Sequence, residues 1–159
     1  MGRFLYRTLI GGAGLLAAST FAFAGEQILE FKFVIKLLDP NVLEAANIDG
    51  QTMIASKGFG VAYFKDGRVA INDFIITYDL LKGSGPSRGY GTYTFEDGSS
   101  ITSSITGERK EGRLLGVYTI VSGTGAYANA TGTGSFESVP TKFKDACRIP
   151  RVRLSVVDE

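Results

Sequence analysis

The stretch 59-FGVAYFKDGRVAINDFIITYDLL-81 decides the fold class of this chain. Two apolar runs flank Asp66-Gly67, and an Asp-Gly pair in that setting is the strongest short-range signal for a β-hairpin. The arm after the turn, 69–81, is rich in Ile, Phe and Tyr, which are enriched in β-strands. The stretch therefore predicts two antiparallel strands joined by a tight turn.

The same alternation of short strands and turns continues on both sides of this hairpin. Upstream we expect a strand over 25–38, ended by Asp39-Pro40-Asn41, and then one helical turn over 42–46. Downstream we expect a flexible loop at 82–87 and then strands over 90–95, 99–109, 114–121, 131–139 and 149–157. About eight strands with short connections, no long helix and 21 glycines predict an all-β domain, a small antiparallel eight-stranded barrel rather than a flat sandwich.

The first 24 residues have the pattern of a signal peptide rather than of a folded domain. Arg3 and Arg7 precede an uncharged apolar run, 9–23, and Ala22-Phe23-Ala24 supplies the small residues that a signal peptidase recognises. A retained membrane anchor is the alternative, but the run is shorter than the roughly 20 residues that a spanning helix needs. We therefore expect a secreted or periplasmic barrel domain over 25–159, with no stable membrane insertion after cleavage.

Charge and residue usage exclude several classes of function. The leader holds two of the 17 basic residues and none of the 16 acidic ones, so the remainder has a net charge of −1 and offers no electrostatic attraction for nucleic acid. The chain has no histidine, which removes Ser-His and Cys-His nucleophile systems and the usual zinc sites. No metal and no cofactor are predicted. Cys147 is the single cysteine, expected as a small buried residue, with a reactive or intermolecular thiol as the alternative.

One segment carries a resemblance to a known family. Val121-Ser122-Gly123-Thr124-Gly125-Ala126-Tyr127-Ala128, followed by Ala130-Thr131-Gly132 and preceded by Asp97-Gly98-Ser99, resembles the allene oxide cyclase and dirigent superfamily. The resemblance implies an eight-stranded barrel whose lumen holds a lipophilic small molecule. It also implies steering of cyclisation or coupling without a redox cofactor, often in a homo-oligomer. The chain lacks the disulfide of the plant dirigent proteins and is closer to small bacterial barrels of the superfamily.

The Gly123-x-Gly125 segment also fits a loose dinucleotide-binding pattern. That function needs a helix directly after the glycines, so that its N-terminal amides face the pyrophosphate. The residues that follow alternate between small and polar types and predict a strand instead. The glycines are therefore expected to be structural, because a tight turn needs positive φ.

The candidate site residues lie on strands whose inward face the sequence does not determine. On 69–80, the lumen is lined either by a set that includes Asp73 or by the more apolar set that includes Tyr78. Asp73 is accordingly a candidate lumen acid or base, or a solvated carboxylate of the outer face. Glu137 is either a second lumen acid, paired with Arg151 or Arg153, or part of an exposed ion pair.

The candidate ligand-binding residues are aromatic and come from four predicted strands. They are Tyr78, Tyr93, Tyr118 and Phe136, which either line a lipophilic cavity or plug the barrel. Three functions follow from these alternatives: a cofactor-independent cyclase or isomerase, a non-catalytic carrier of a lipophilic ligand, or a structural protein that acts through its surface. Whether the protein is an enzyme stays open at this point.

Overall fold

The computed structural model describes residues 25–158, and the predicted signal peptide lies outside the described residues. Ten strands account for most of this part: β1 (Glu26–Glu44), β2 (Gln51–Phe64), β3 (Val69–Leu81), β4 (Gly85–Phe95), β5 (Ser100–Lys110), β6 (Arg113–Thr124), β7 (Ala130–Thr131), β8 (Thr133–Glu137), β9 (Val139–Pro140) and β10 (Ala146–Asp158). One 3₁₀ turn, Gly125–Tyr127, follows β6. Within 25–158, no helix is long and apolar enough to span a membrane.

The strands form one closed antiparallel barrel. Strands β1 to β6 pair in sequence order, β8 pairs with β6 and β10, and β10 pairs with β1 to close the sheet. The short strands β7, β8 and β9 occupy one interrupted position between β6 and β10, which gives eight positions around the barrel. Closure removes the unpaired edges that an open sheet would expose. The prediction of an all-β, eight-stranded antiparallel barrel is confirmed.

The inward face of β3 is the more apolar of its two faces. Burial alternates along the strand, with Ala70, Asn72, Phe74, Ile76, Tyr78 and Leu80 inside. Burying a large apolar side chain contributes about 1.5–3 kcal/mol, whereas burying an unpaired carboxylate is costly. Asp73 therefore lies on the outer face.

Strand β1 departs from the expected pattern, because it does not end at Asp39-Pro40-Asn41. The strand continues to Glu44, with an irregular register between Leu38 and Asn41 where Asp39 has a φ of 46°. Proline has no backbone N–H to offer a neighbouring strand, and a bulge is a place that tolerates it. The expected helical turn over 42–46 is wrong, since Val42 and Leu43 pair with β2.

Glycines make room for two inward aromatic rings. A Cβ on Gly58 would lie 2.0 Å from the ring of Phe74, its cross-strand neighbour. A Cβ on Gly116 would lie 2.5 Å from the ring of Phe136, again on the neighbouring strand. A large inward residue thus lies beside a glycine on the neighbouring strand. The space over the glycine decides how far each ring enters the lumen.

Candidate functional site: the lumen and its open mouth

One end of the barrel is sealed by stacked aromatic rings. Going inward from this end, the ring centroids of Tyr127 and Phe95 lie 5.1 Å apart, those of Phe95 and Phe64 5.1 Å, and those of Phe64 and Phe31 4.6 Å. All four side chains are buried. Such contacts fill the lumen at this end with apolar surface.

Arg68 covers these rings from the turn between β2 and β3. Its guanidinium lies 5.5 Å from the ring centroid of Phe64 and 5.3 Å from that of Phe95. It also donates hydrogen bonds to the Tyr127 hydroxyl and to the Asp66 carboxylate, the latter at 2.6 Å. The hydrogen bond from Arg68 holds the pKa of Asp66 below its ordinary value. Because the guanidinium lies over both rings and is held by Asp66 and Tyr127, it covers the aromatic rings at this end.

The aromatic stack continues into the middle of the barrel and contains three of the predicted site residues. Tyr93 contacts Phe31 with a centroid separation of 5.2 Å and meets Tyr118 edge-on at 6.4 Å. Tyr118 stacks on Phe136 at 4.5 Å. Burial raises the pKa of both tyrosines, so their hydroxyls stay protonated at neutral pH. Among the described residues the Tyr93 hydroxyl is fully buried and has no hydrogen-bond partner.

Beyond this stack lies a small inner cavity of about 50 Å³. Its walls include Tyr78, Tyr118 and Phe136, together with the buried amide of Asn72, whose nitrogen donates to the Thr92 carbonyl at 3.2 Å. The volume corresponds to one or two water molecules, well below the roughly 300 Å³ at which ligand pockets begin. The aromatic side chains thus fill most of the lumen.

The opposite end of the barrel has an open mouth of about 430 Å³. Its walls are largely apolar and include Leu37, Pro40, Val42, Ile54, Leu114 and Phe143. Tyr78, Leu114 and Cys147 line both the mouth and the inner cavity, so the two spaces adjoin. Tyr78 is the one predicted ligand-binding residue at this junction, and burial raises its pKa to about 12.

A residue that the sequence analysis missed, Arg109, also lines the mouth. Its guanidinium lies 5.6 Å from the ring centroid of Tyr78, and the side chain is half-buried. Arg109 shares the inward phase of Ile101 and Ile105 on β5. Its even spacing from those isoleucines, four residues after Ile105 and eight after Ile101, was the signal that could have found it.

Cys147 and Ser138 add two neutral polar groups to the mouth. The Ser138 hydroxyl accepts a hydrogen bond from the Leu114 amide at 2.9 Å. The thiol of Cys147 is partly buried, and burial raises its pKa to about 11. A thiol with this pKa stays protonated at neutral pH and is a poor nucleophile.

Neither candidate acid lies in the lumen, which corrects the two inward alternatives considered from sequence. Asp73 is exposed on the outer face of β3, because the apolar face of that strand turns inward. Glu137 is 43% exposed and pairs with Arg113 rather than with Arg151, which binds Glu30 at 3.1 Å. No carboxylate of the described residues lines the inner cavity.

Comparisons with known proteins agree with this architecture. No family model matches the sequence, and no curated protein matches it. Among solved structures, the pterocarpan synthase dirigent protein GePTS1 is 16% identical, with 92% of this chain and 98% of that chain covered and a TM-score of 0.56. A second such protein, PsPTS1, is 18% identical, with 84% and 96% covered and a TM-score of 0.55. A protein of unknown function of the DUF3224 family from Shewanella oneidensis is 16% identical, with 85% and 98% covered and a TM-score of 0.57.

The class of fold follows from these similarities together with the closed sheet. The described residues have a barrel fold similar to that of the dirigent proteins, as the resemblance of the Gly123–Gly132 segment implies. In that segment Gly125 has a φ of 59°, and a Cβ on Gly123 would lie 1.9 Å from the Tyr127 carbonyl oxygen. The 3₁₀ turn spans only Gly125–Tyr127 and leads into β7 and β8 rather than into the helix of a dinucleotide site.

Proposed function

We propose that this protein binds a lipophilic small molecule at the open mouth of its barrel and acts as a non-catalytic carrier. The mouth carries the proposal: its volume of about 430 Å³ lies within the range of ligand pockets, and its walls are largely apolar. The sealed end offers no comparable space, since rings and Arg68 fill it.

The chemistry of the lining favours a carrier over an enzyme. Tyr78 and Cys147, with pKa values raised to about 12 and about 11, are protonated at neutral pH. They can donate hydrogen bonds to a ligand, but a general base needs a pKa nearer to the working pH. Asp73 and Glu137, the two carboxylates predicted as acids or bases, are on the outer face, and Asp145, the carboxylate that lines the mouth, is exposed to solvent.

A second candidate is a cofactor-independent cyclase or isomerase. The fold likeness to pterocarpan synthase dirigent proteins and the unpartnered hydroxyl of Tyr93 favour it. Such an enzyme would work by orienting a reactive intermediate and excluding water, with tyrosine hydroxyls as hydrogen-bond donors. Turnover of an added intermediate that is lost in Tyr118→Phe, while binding is kept, would replace the carrier by this enzyme.

Binding at the mouth can be tested with N-phenyl-1-naphthylamine, a neutral lipophilic fluorophore. We expect saturable binding with micromolar affinity. Val42→Asp places a charge in the mouth and should weaken this binding about tenfold, because an unpaired charge disfavours an apolar ligand.

Val34→Asp is the matched control. Val34 lies on the same strand with a similar exposure, 54% against 50% for Val42, but on the outer face. It should leave the affinity unchanged. Absence of saturable binding, or an equal loss in both variants, would contradict the carrier and favour a protein that acts through its outer surface.

Export is part of the proposal, because the pattern of residues 1–24 is that of a cleaved leader. N-terminal sequencing of the secreted or periplasmic protein should begin at Gly25. A membrane-bound species that keeps Met1 would contradict export.

A further inference from the structure

Arg109 sets the mouth apart from an ordinary apolar pocket. We infer that the molecule bound there is an amphiphile, with a carboxylate-type anionic head group held by Arg109 and an apolar body against the walls of the mouth. This inference rests on the proposed lipophilic binding and adds the chemical class of the ligand.

Arg109 differs from the other arginines of the described chain. Arg68, Arg113 and Arg151 each pair with a carboxylate. The three further arginines without an ion pair, Arg88, Arg148 and Arg153, have exposed side chains on the outer face. Arg109 alone among 25–158 is half-buried, inward-facing and without an ion pair.

The position of Arg109 is fixed by the strand and by one ring. It pairs with Gly85 and Leu114 on the two neighbouring strands, and its inward phase turns it to the mouth. The contact with the face of the Tyr78 ring, at 5.6 Å from the centroid, holds the guanidinium beside the mouth. A guanidinium has five N–H donors at its edge, and this edge is what a carboxylate binds in a bidentate manner.

A half-buried cation without a partner is an unfavourable arrangement that an anionic ligand would relieve. Asp145 also lines the mouth, but it is exposed and makes no ion pair with Arg109. The apolar part of the ligand is accounted for by Leu37, Val42 and Ile54 on β1 and β2. The mouth therefore offers Arg109 to the head group of the ligand and an adjoining apolar surface to its body.

The test compares decanoate with 1-decanol, which has the same chain and no charge, by displacement of N-phenyl-1-naphthylamine. The full chain should bind decanoate about tenfold more tightly than 1-decanol at low salt, as expected for one charge-assisted contact. Arg109→Gln should abolish that preference and leave 1-decanol within twofold of the original affinity. Arg109→Lys should keep part of the preference, because it keeps the charge but loses the bidentate geometry.

Arg113→Gln is the matched control, because Arg113 lies at the same end of the barrel but pairs with Glu137 on the outer face. It should leave both affinities unchanged. Equal affinity for the two compounds in the original protein, or a preference that survives Arg109→Gln, would overturn the inference while the carrier stands. Loss of the neutral fluorophore in both Arg109 variants would also overturn it, since Arg109 would then be structural. Failure of the original protein to bind any of the three compounds would refute the carrier itself.

Discussion

The two ends of the barrel each place an arginine against an aromatic ring, and the difference between them is instructive. At the sealed end, Arg68 lies over Phe64 and Phe95 and has hydrogen bonds to Asp66 and Tyr127. At the open end, Arg109 lies over Tyr78 and has no ion pair within the described chain.

The same contact thus serves two purposes, depending on what surrounds it. An arginine that hydrogen-bonds to its neighbours, as Arg68 does, holds a turn in place, whereas one without an ion pair is available to a ligand. The backbone of the two ends differs in the same sense. The 3₁₀ segment lies at the sealed end, whereas the extended ends of β1 and β2 and the loop over 141–145 surround the mouth. Stability is therefore expected to concentrate at the sealed end and ligand recognition at the open end.

The largest expected effect is on the aromatic stack of the sealed half. Phe31→Ala removes a ring that contacts Phe33, Phe64 and Tyr93, and it should lower the free energy of unfolding by about 3–5 kcal/mol. Urea denaturation measures this loss. Phe143→Ala at the mouth is the control: its side chain is 78% exposed, so the change should stay within about 0.5 kcal/mol. Similar losses in both variants would contradict the asymmetry between the ends.

Substitution of the glycines beside the 3₁₀ turn should give the next largest loss of unfolding free energy. Gly123→Val would force a Cβ to within 1.9 Å of the Tyr127 carbonyl oxygen and should cost about 2–3 kcal/mol of unfolding free energy. Gly125→Val strains a residue at φ 59° and should cost a comparable amount. Titration with NAD should show no tight binding to the original protein. Tight NAD binding that these variants lose would instead support the dinucleotide site.

The two arginines give the most direct comparison of the ends. Arg68→Gln breaks hydrogen bonds to Asp66 and Tyr127 and should cost about 1–2 kcal/mol of unfolding free energy. Arg109→Gln breaks no ion pair of the described chain and should cost less than about 0.5 kcal/mol in the absence of ligand. Equal costs would mean that Arg109 stabilises the fold as Arg68 does, and the contrast would fail.

The sequence predicts those parts of the fold whose determining residues lie close together along the chain. The hairpin at Asp66-Gly67 was predicted with β3 at its observed bounds, 69–81, because the turn residues and the strand pattern are adjacent. The continuation of β1 past Pro40 was missed, because a proline argues against a strand interior and the bulge that accommodates it is visible only in the pairing with β2.

The site was harder to predict, because its definition depends on which face of each strand turns inward. On β3 the outer face carries Ile71 and Ile75, so alternation alone does not favour the inner set of Phe74 and Ile76. Inward positions were considered for the acidic residues Asp73 and Glu137, which lie on the outer face, but not for Arg109, which lines the mouth. Which positions of a closed barrel face inward can be told only once the pairing of all its strands is known.

The smallest expected effect concerns alkaline pH at the open end. Burial raises the pKa of Cys147 from 9.0 to about 11, so between these values the folded state holds a proton that the unfolded state has released. The thiol's contribution is complete below pH 9 and is lost as the pH rises towards 11, with a size on the order of 1 kcal/mol. Urea denaturation at pH 8 and pH 10.5 should show this decline, and Cys147→Ser, which does not titrate in this range, should reduce it. Tyr78→Phe is the companion variant, because burial raises the pKa of Tyr78 to about 12 in the same direction. A decline that both variants leave intact would place the alkaline sensitivity elsewhere, and a melting temperature that changes with reductant would indicate an intermolecular disulfide through Cys147.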